Sequence, residues 1–298
     1  MAARGKRGGS PGAPVRAARS VSIKTRWGAR ALLLPEMPVE TAPTCSTVLA
    51  LHGGNGTAQG FVLRSGLAEA LQSYGHDIAF PQALRHWSDG RPPLEDRWPG
   101  DRGFIEVIHA RQKEALNRAE VPLALIGVSN GGMFCQRLCC ALSEPPAIGV
   151  AVVSALPEAL AQSAPPGPPV PMMLIQATDD PLIPWEGGEV PDIAGFSVAG
   201  RLLGVEATVD FWKRRNRITA PPRRSRARVG RHDARISFWD GGAAGADLWL
   251  VVLEGAGHRQ LDGDPRHFRT GTLQDLIART VMWYVDRDRL AATGKASI

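Results

Sequence analysis

Ser129 stands in Gly127-Val128-Ser129-Asn130-Gly131-Gly132, directly after the apolar run Leu123 to Val128 and before a stretch that reads as a helix from about Gly131. A serine on a sharp strand-to-helix turn can attack a carbonyl, and the positions two residues to either side must be small because the backbone is crowded there. Neutral serine is a poor nucleophile, so such a site needs a base to take its proton and a carboxylate to orient that base. Both residue types follow in that order, each just past an apolar run. Asp179-Asp180-Pro181 comes after Met172 to Ile175, and Gly257-His258 comes after Leu248 to Leu253. Either aspartate fits the carboxylate role, with turn capping the competing use of each. His258 is favoured over His267 as the base because it follows its apolar run directly, whereas His267 precedes the final helical stretch and suits a cap. A third group, His52-Gly53-Gly54, ends the run Val48 to Leu51. The N–H of Gly54 and that of Asn130, the residue after the serine, would make the donor pair that a tetrahedral oxyanion requires. The chemistry implied is acyl transfer through a covalent serine intermediate, with no cofactor and no metal.

Elements in regular succession must position these residues. Short apolar runs at Val48 to Leu51, Ile78 to Phe80, Leu123 to Val128, Val150 to Val153, Met172 to Ile175 and Leu248 to Leu253 are continuous rather than alternating. That is the pattern of strands covered on both faces. Between them lie helical stretches at Ala58 to Ser73, Gly103 to Arg118, Gly131 to Leu142, Gly200 to Arg215 and Thr272 to Asp286. The alternation predicts a doubly wound, mostly parallel α/β sheet. His86 to Gly103, rich in Gly, Pro and Trp, reads as a surface loop able to line a pocket, and Phe238 to Leu253 as two strands joined by a glycine turn.

The 298 residues, 44% of them hydrophobic, suffice for one large core, and the 33 Gly and 24 Pro stay below a low-complexity composition. No apolar run approaches the ~18 residues of a membrane span. Residues 1–30 also lack the apolar core of an export signal, so the reading is a cytoplasmic protein with no membrane partner. Three of the four cysteines fall within six residues, a spacing that fits neither a disulfide framework nor a zinc site. The net charge of +6 is unevenly held. Residues 1–30 carry eight basic side chains and no acid, residues 213–235 carry ten against Asp233, and the remainder is eleven charges negative. We read 1–30 as a disordered basic tail, 31–298 as a single domain and 213–235 as a basic insertion. Neither segment interleaves aromatics for base stacking, which argues against nucleic acid.

The motifs together resemble the α/β-hydrolase esterases grouped with polyhydroxybutyrate depolymerases and feruloyl-type esterases. The resemblance runs from about Val48 to Asp286. It is carried by His52-Gly53-Gly54, Trp87-Ser88-Asp89-Gly90-Arg91, Gly103-Phe104-Ile105, Gly127 to Gly132, Asp180 to Trp185 with Gly187-Gly188, Val209 to Trp212, and Gly255 to His258. It implies an α/β-hydrolase fold and a serine carboxylesterase, with Ser129 as nucleophile, Asp180 rather than Asp179 as acid, and His258 as base. It further implies Trp87 and Trp185 in the substrate cleft and 3-hydroxyalkanoate or hydroxycinnamate esters as substrates, while the cytoplasmic reading favours a small or oligomeric ester over a polymer. Two departures stand out: Arg259-Gln260-Leu261 follows the histidine where the family often has Trp-Pro, and Asn130 replaces a smaller residue. Other readings of the same residues are an acyltransferase sharing the triad, or a noncatalytic protein docking through its arginine-rich segments.

Overall fold

The computed structural model describes residues 17–36, 46–190, 199–261 and 270–287. Cys45 and His267 lie outside them. In chain order the strands are β1 (Ala18–Thr25), β2 (Gly28–Pro35), β3 (Thr47–Leu51), β4 (Phe80–Pro81), β5 (Leu123–Val128), β6 (Ile148–Val152), β7 (Met172–Ala177), β8 (Gly187–Glu189), β9 (Arg201–Leu203), β10 (Arg223–Val229), β11 (His232–Trp239) and β12 (Leu248–Leu253). The helices are α1 (Ala58–Ser65), α2 (Leu67–Ser73), α3 (Trp98–Leu116), α4 (Asn130–Ala141), α5 (Glu158–Ser163), α6 (Val205–Asn216) and α7 (Leu273–Val285).

The central sheet has the order β10-β11-β12-β7-β6-β5-β3, with β3, β5, β6, β7 and β12 mutually parallel. Every residue of β3, β6 and β7 is buried, as continuous apolarity demands. Alternate side chains feed two layers. Val48, Ala50, Ile126 and Val150 pack with α1, α2 and α7, while Leu49, Leu51 and Leu125 pack with α3, α4 and α6. The pairings Leu51 with Gly127, Val128 with Val152, Val152 with Ile175 and Leu253 with Ala177 bring the carboxyl ends of these strands level. Residues just beyond them therefore share one edge, the usual location of a ligand site in open α/β sheets. On α4, Cys135, Cys139 and Cys140 are free and buried, and burial pushes the Cys140 thiol up to about 11 and the Cys139 thiol up as well.

Four expectations need correction. Residues 18–30 are not a disordered tail: β1 and β2 form an antiparallel hairpin, and β2 continues through β4 to a parallel bridge between Ala79 and Leu49. Arg30, which looked like a solvated charge, is buried and holds Asp101 Oδ1 at 2.5 Å and the Gln82 carbonyl at 3.0 Å. The segment 213–235 is not an insertion added to the fold but part of its regular elements. Its first residues end α6, where Lys213, Arg214 and Arg215 oppose the negative end of the helix, and the rest makes the β10–β11 hairpin. Arg223 to Arg228 on its edge strand are all exposed, and charged side chains there discourage pairing with another sheet. The single helix read over 58–73 breaks at Gly66, which takes the left-handed φ of 68°. Finally, 86–91 is buried rather than a surface loop, and α3 begins at Trp98, since Pro99 in the first helical turn loses no hydrogen bond.

Candidate active site

Ser129 holds a φ of 54° and ψ of −122°, a conformation costly for any residue but glycine. The turn is fixed by its surroundings. Ser129 N–H donates to the Val152 carbonyl at 2.9 Å, and its own carbonyl accepts from Gly132 N–H at 2.9 Å and Met133 N–H at 3.0 Å. A methyl group on Gly127 would collide with the Gly131 carbonyl, and one on Gly131 with the carbonyls of Leu51 and His52. The glycines of the motif are thus required by backbone contact, and the strain at Ser129 is stabilised by the packing of β3, β5 and α4 around it.

Asp180 and His258 meet past the ends of β7 and β12. Asp180 Oδ2 accepts from His258 Nδ1 at 2.8 Å, and Oδ1 accepts the backbone N–H groups of Leu182 at 2.8 Å and Ile183 at 3.1 Å. The carboxylate is nearly sealed, at 2% exposure, while the imidazole keeps 17%. A carboxylate on Nδ1 places the hydrogen there and leaves Nε2 as the basic nitrogen. Asp179 is engaged elsewhere, accepting from Thr178 Oγ1 at 2.8 Å. Among the described residues no hydrogen bond joins His258 Nε2 to Ser129 Oγ; in the absence of substrate such bonds are frequently long.

The loop after β3 is set by His52. Its Nε2 accepts the Ala83 N–H at 3.1 Å, so Nδ1 carries the hydrogen and donates to the Gly53 carbonyl at 2.8 Å. Gly56 N–H donates to the same carbonyl at 3.1 Å. A peptide's C=O and N–H point opposite ways, so pinning the Gly53 carbonyl aims the Gly54 N–H to the other side. Burial, with Arg30 and His86 adding to it, lowers the His52 pKa to about 4 and keeps the ring neutral. Gly54 lies against the elbow: a methyl group on it would sit 3.6 Å from Asn130 Cβ.

Asn130, the departure from the smaller residue, is a clamp. Its Oδ1 accepts the Trp87 N–H at 2.8 Å, while Nδ2 donates to the Trp87 carbonyl at 3.0 Å and to Asp89 Oδ2 at 2.7 Å. Asp89 is itself fixed by Arg91, whose Nη2 donates to Oδ2 at 2.6 Å, both side chains being buried. The backbone N–H at the start of α4 is thereby tied to the segment 87–91. Sequence reasoning missed Asp89, Arg91 and His52 as supports; an Asp-Gly-Arg step among tryptophans and prolines is the signal that would have found the first two. Trp87 is not a cleft residue. It is fully buried, stacked on Phe134 at 4.9 Å with a 6° interplanar angle, and its Nε1 donates to the His52 carbonyl at 3.0 Å. Trp185 is half-buried on the loop that carries Asp180, with its carbonyl accepting Val205 N–H at 2.9 Å.

Solved structures with the same architecture include the acetyl xylan esterase of Aspergillus awamori, at 13% identity and a TM-score of 0.59, matched over 90% of this chain and 98% of that one. The esterase Pf2001 of Pyrococcus furiosus matches over 91% and 92% at 15% identity and a TM-score of 0.51. The fold is that of the α/β-hydrolases. It extends beyond esterases, since a prolyl endopeptidase matches over 91% of this chain and 39% of its own length, at 14% identity and a TM-score of 0.53. Among curated proteins, the proposed esterase NocK of Nocardia uniformis subsp. tsuyamanensis is 30% identical over 142 residues, which is 47% of this chain and 41% of the relative's length. No protein-family model matches the sequence. Among the described residues no helix is long and apolar enough to cross a membrane, and no cluster of ligating side chains could hold a metal ion.

Proposed function

We propose that the chain is a serine carboxylesterase working through an acyl-enzyme. The observation that carries this reading is a serine held at positive φ on the strand-to-helix turn after β5, with the Asp180–His258 pair seated on β7 and β12 at the same sheet edge. Ser129 Oγ attacks the ester carbonyl as His258 Nε2 takes its proton, and the oxyanion accepts from the N–H groups of Gly54 and Asn130. His258 then returns the proton to the departing alcohol. Water, deprotonated by the same nitrogen, adds to the acyl-serine; the bond to Ser129 Oγ then breaks, Oγ takes that proton back from His258, and the acid is released. Asp180, held by two backbone N–H groups, keeps the imidazole oriented and stabilises its charged form.

The substrate class that goes with the family resemblance is a small or oligomeric ester of a hydroxyalkanoate or hydroxycinnamate type, met in the cytoplasm, with Trp185 at the cleft rim. An acyltransferase would use the same residues, and added alcohol or thiol acceptors diverting product from the free acid separate the two. The deciding test is fluorophosphonate labelling together with hydrolysis of p-nitrophenyl esters of increasing chain length, in wild type and Ser129→Ala. We expect the variant to lose labelling and about 10⁵-fold or more in rate. A wild type that neither labels nor hydrolyses any ester overturns the reading.

A further inference from the structure

His86 is a polar side chain beside the Gly54 loop that the mechanism leaves unused. It is 8% exposed, and among the described residues its ring has no hydrogen-bond partner. Its position gives it a use. A methyl group on Gly54 would lie 2.8 Å from His86 Nδ1, 3.0 Å from Cε1 and 3.6 Å from Asn130 Cβ. The Nδ1–Cε1 edge of the imidazole and the start of α4 therefore close on the same point of the loop that offers the Gly54 N–H.

Resting on the serine esterase reading, we propose that His86 is a third donor of the oxyanion site, its Nδ1–H joining the N–H groups of Gly54 and Asn130 on the developing alkoxide. No proton changes hands at this residue. As the bond from Ser129 Oγ to the carbonyl carbon forms, the carbonyl electron pair moves to oxygen, and the serine proton goes to His258. His86 contributes only a hydrogen bond that strengthens as the charge appears. Oriented side-chain donors, histidine among them, serve this purpose in acyl-transfer sites. A neutral imidazole is suited to it. Burial lowers the His86 pKa, and Arg85, Arg91 and Arg97 outweigh Asp89 in the same direction. The arrangement also accounts for Gly54 itself, since any side chain there would take the space of the imidazole edge.

The test compares wild type, Ser129→Ala, His86→Leu and His86→Asn by kcat and KM on one p-nitrophenyl ester, and by inhibition with a trifluoromethyl ketone that mimics the tetrahedral state. We expect His86→Leu to lose about 10²-fold in kcat, with KM within about threefold and inhibitor affinity falling in parallel. His86→Asn, which places an amide N–H near the Nδ1 position, should recover about tenfold of that loss. A purely structural role would lower stability without the matched loss of kcat and inhibitor affinity. If neither variant folds, 15N-histidine spectra of the wild-type protein decide: adding the ketone must alter a ring N–H other than that of His258. The inference fails, with the esterase reading intact, if Ser129→Ala is dead while His86→Leu keeps a third or more of kcat, loses only in KM, or is matched by His86→Asn, or if only the His258 ring responds to the ketone. A wild type without Ser129-dependent activity overturns both.

Discussion

The two halves of the candidate site are built by different means. The elbow around Ser129 is fixed by backbone pressed against backbone, where Gly127 and Gly131 leave no room for a Cβ. The acid–base half is fixed by side-chain hydrogen bonds, Asp180 to His258 and Asp180 to two N–H groups of its own turn. A crowded backbone accepts only one residue type, whereas a hydrogen-bonded loop accepts any carboxylate at the right step. The first kind of construction leaves a mark in the sequence. The second leaves neighbours such as Asp179 and Asp180 nearly indistinguishable until their partners are known.

Replacing one aspartate at a time breaks that ambiguity most sharply. Asp180→Asn should lower kcat by about 10⁴-fold, since an amide favours the wrong imidazole tautomer, while Asp179→Asn should stay within about twofold of wild type on the same p-nitrophenyl ester. The next effect belongs to the His52–Gly54 loop beside the Ser129 turn. Because His52 is neutral in the fold with a pKa near 4 against an ordinary 6.5, the unfolded chain takes up a proton that the folded chain refuses. Its contribution is complete above about pH 6.5 and is lost as pH falls toward 4, a change of about 3 kcal/mol. Chemical denaturation across that range should show the loss in wild type and a flatter profile in His52→Gln; equal slopes would mean that another group titrates. The smallest effect is at the clamp. Asn130→Ala leaves the Trp87 N–H without its acceptor and should cost about 2 kcal/mol in urea denaturation, with Ser129 still open to fluorophosphonate.

The same contrast sets what was readable from the sequence. The parallel strands, the elbow and the Ser-Asp-His order could be read because continuous apolarity and obligatory glycine are local properties. The choice of Asp180 came from resemblance to a family, and the structure adds the hydrogen bond that pairs it with His258. Trp87 was misplaced in the cleft by the resemblance, because a tryptophan stacked on Phe134 in the core and one at a cleft rim have the same sequence neighbourhood. Arg30 misled for a related reason: its partner Asp101 is 71 residues away, so a structural charge looked like part of a basic tail. The arginines of β10 were legible as charge but not as strand, since an edge strand exposed along nearly its whole length lacks the apolar alternation that reveals strands.

The three thiols of α4 give the molecule a built-in reporter of its own opening. All three are buried away from an alkylating reagent while the helix stays docked, and Cys139 and Cys140 are in addition held protonated well past neutrality. Alkylation at neutral pH must then wait for α4 to leave the sheet, and that motion also dismantles the turn that carries Ser129. The rate of thiol modification at saturating reagent, followed peptide by peptide, would measure how often the elbow comes apart in the native protein, without reference to any substrate.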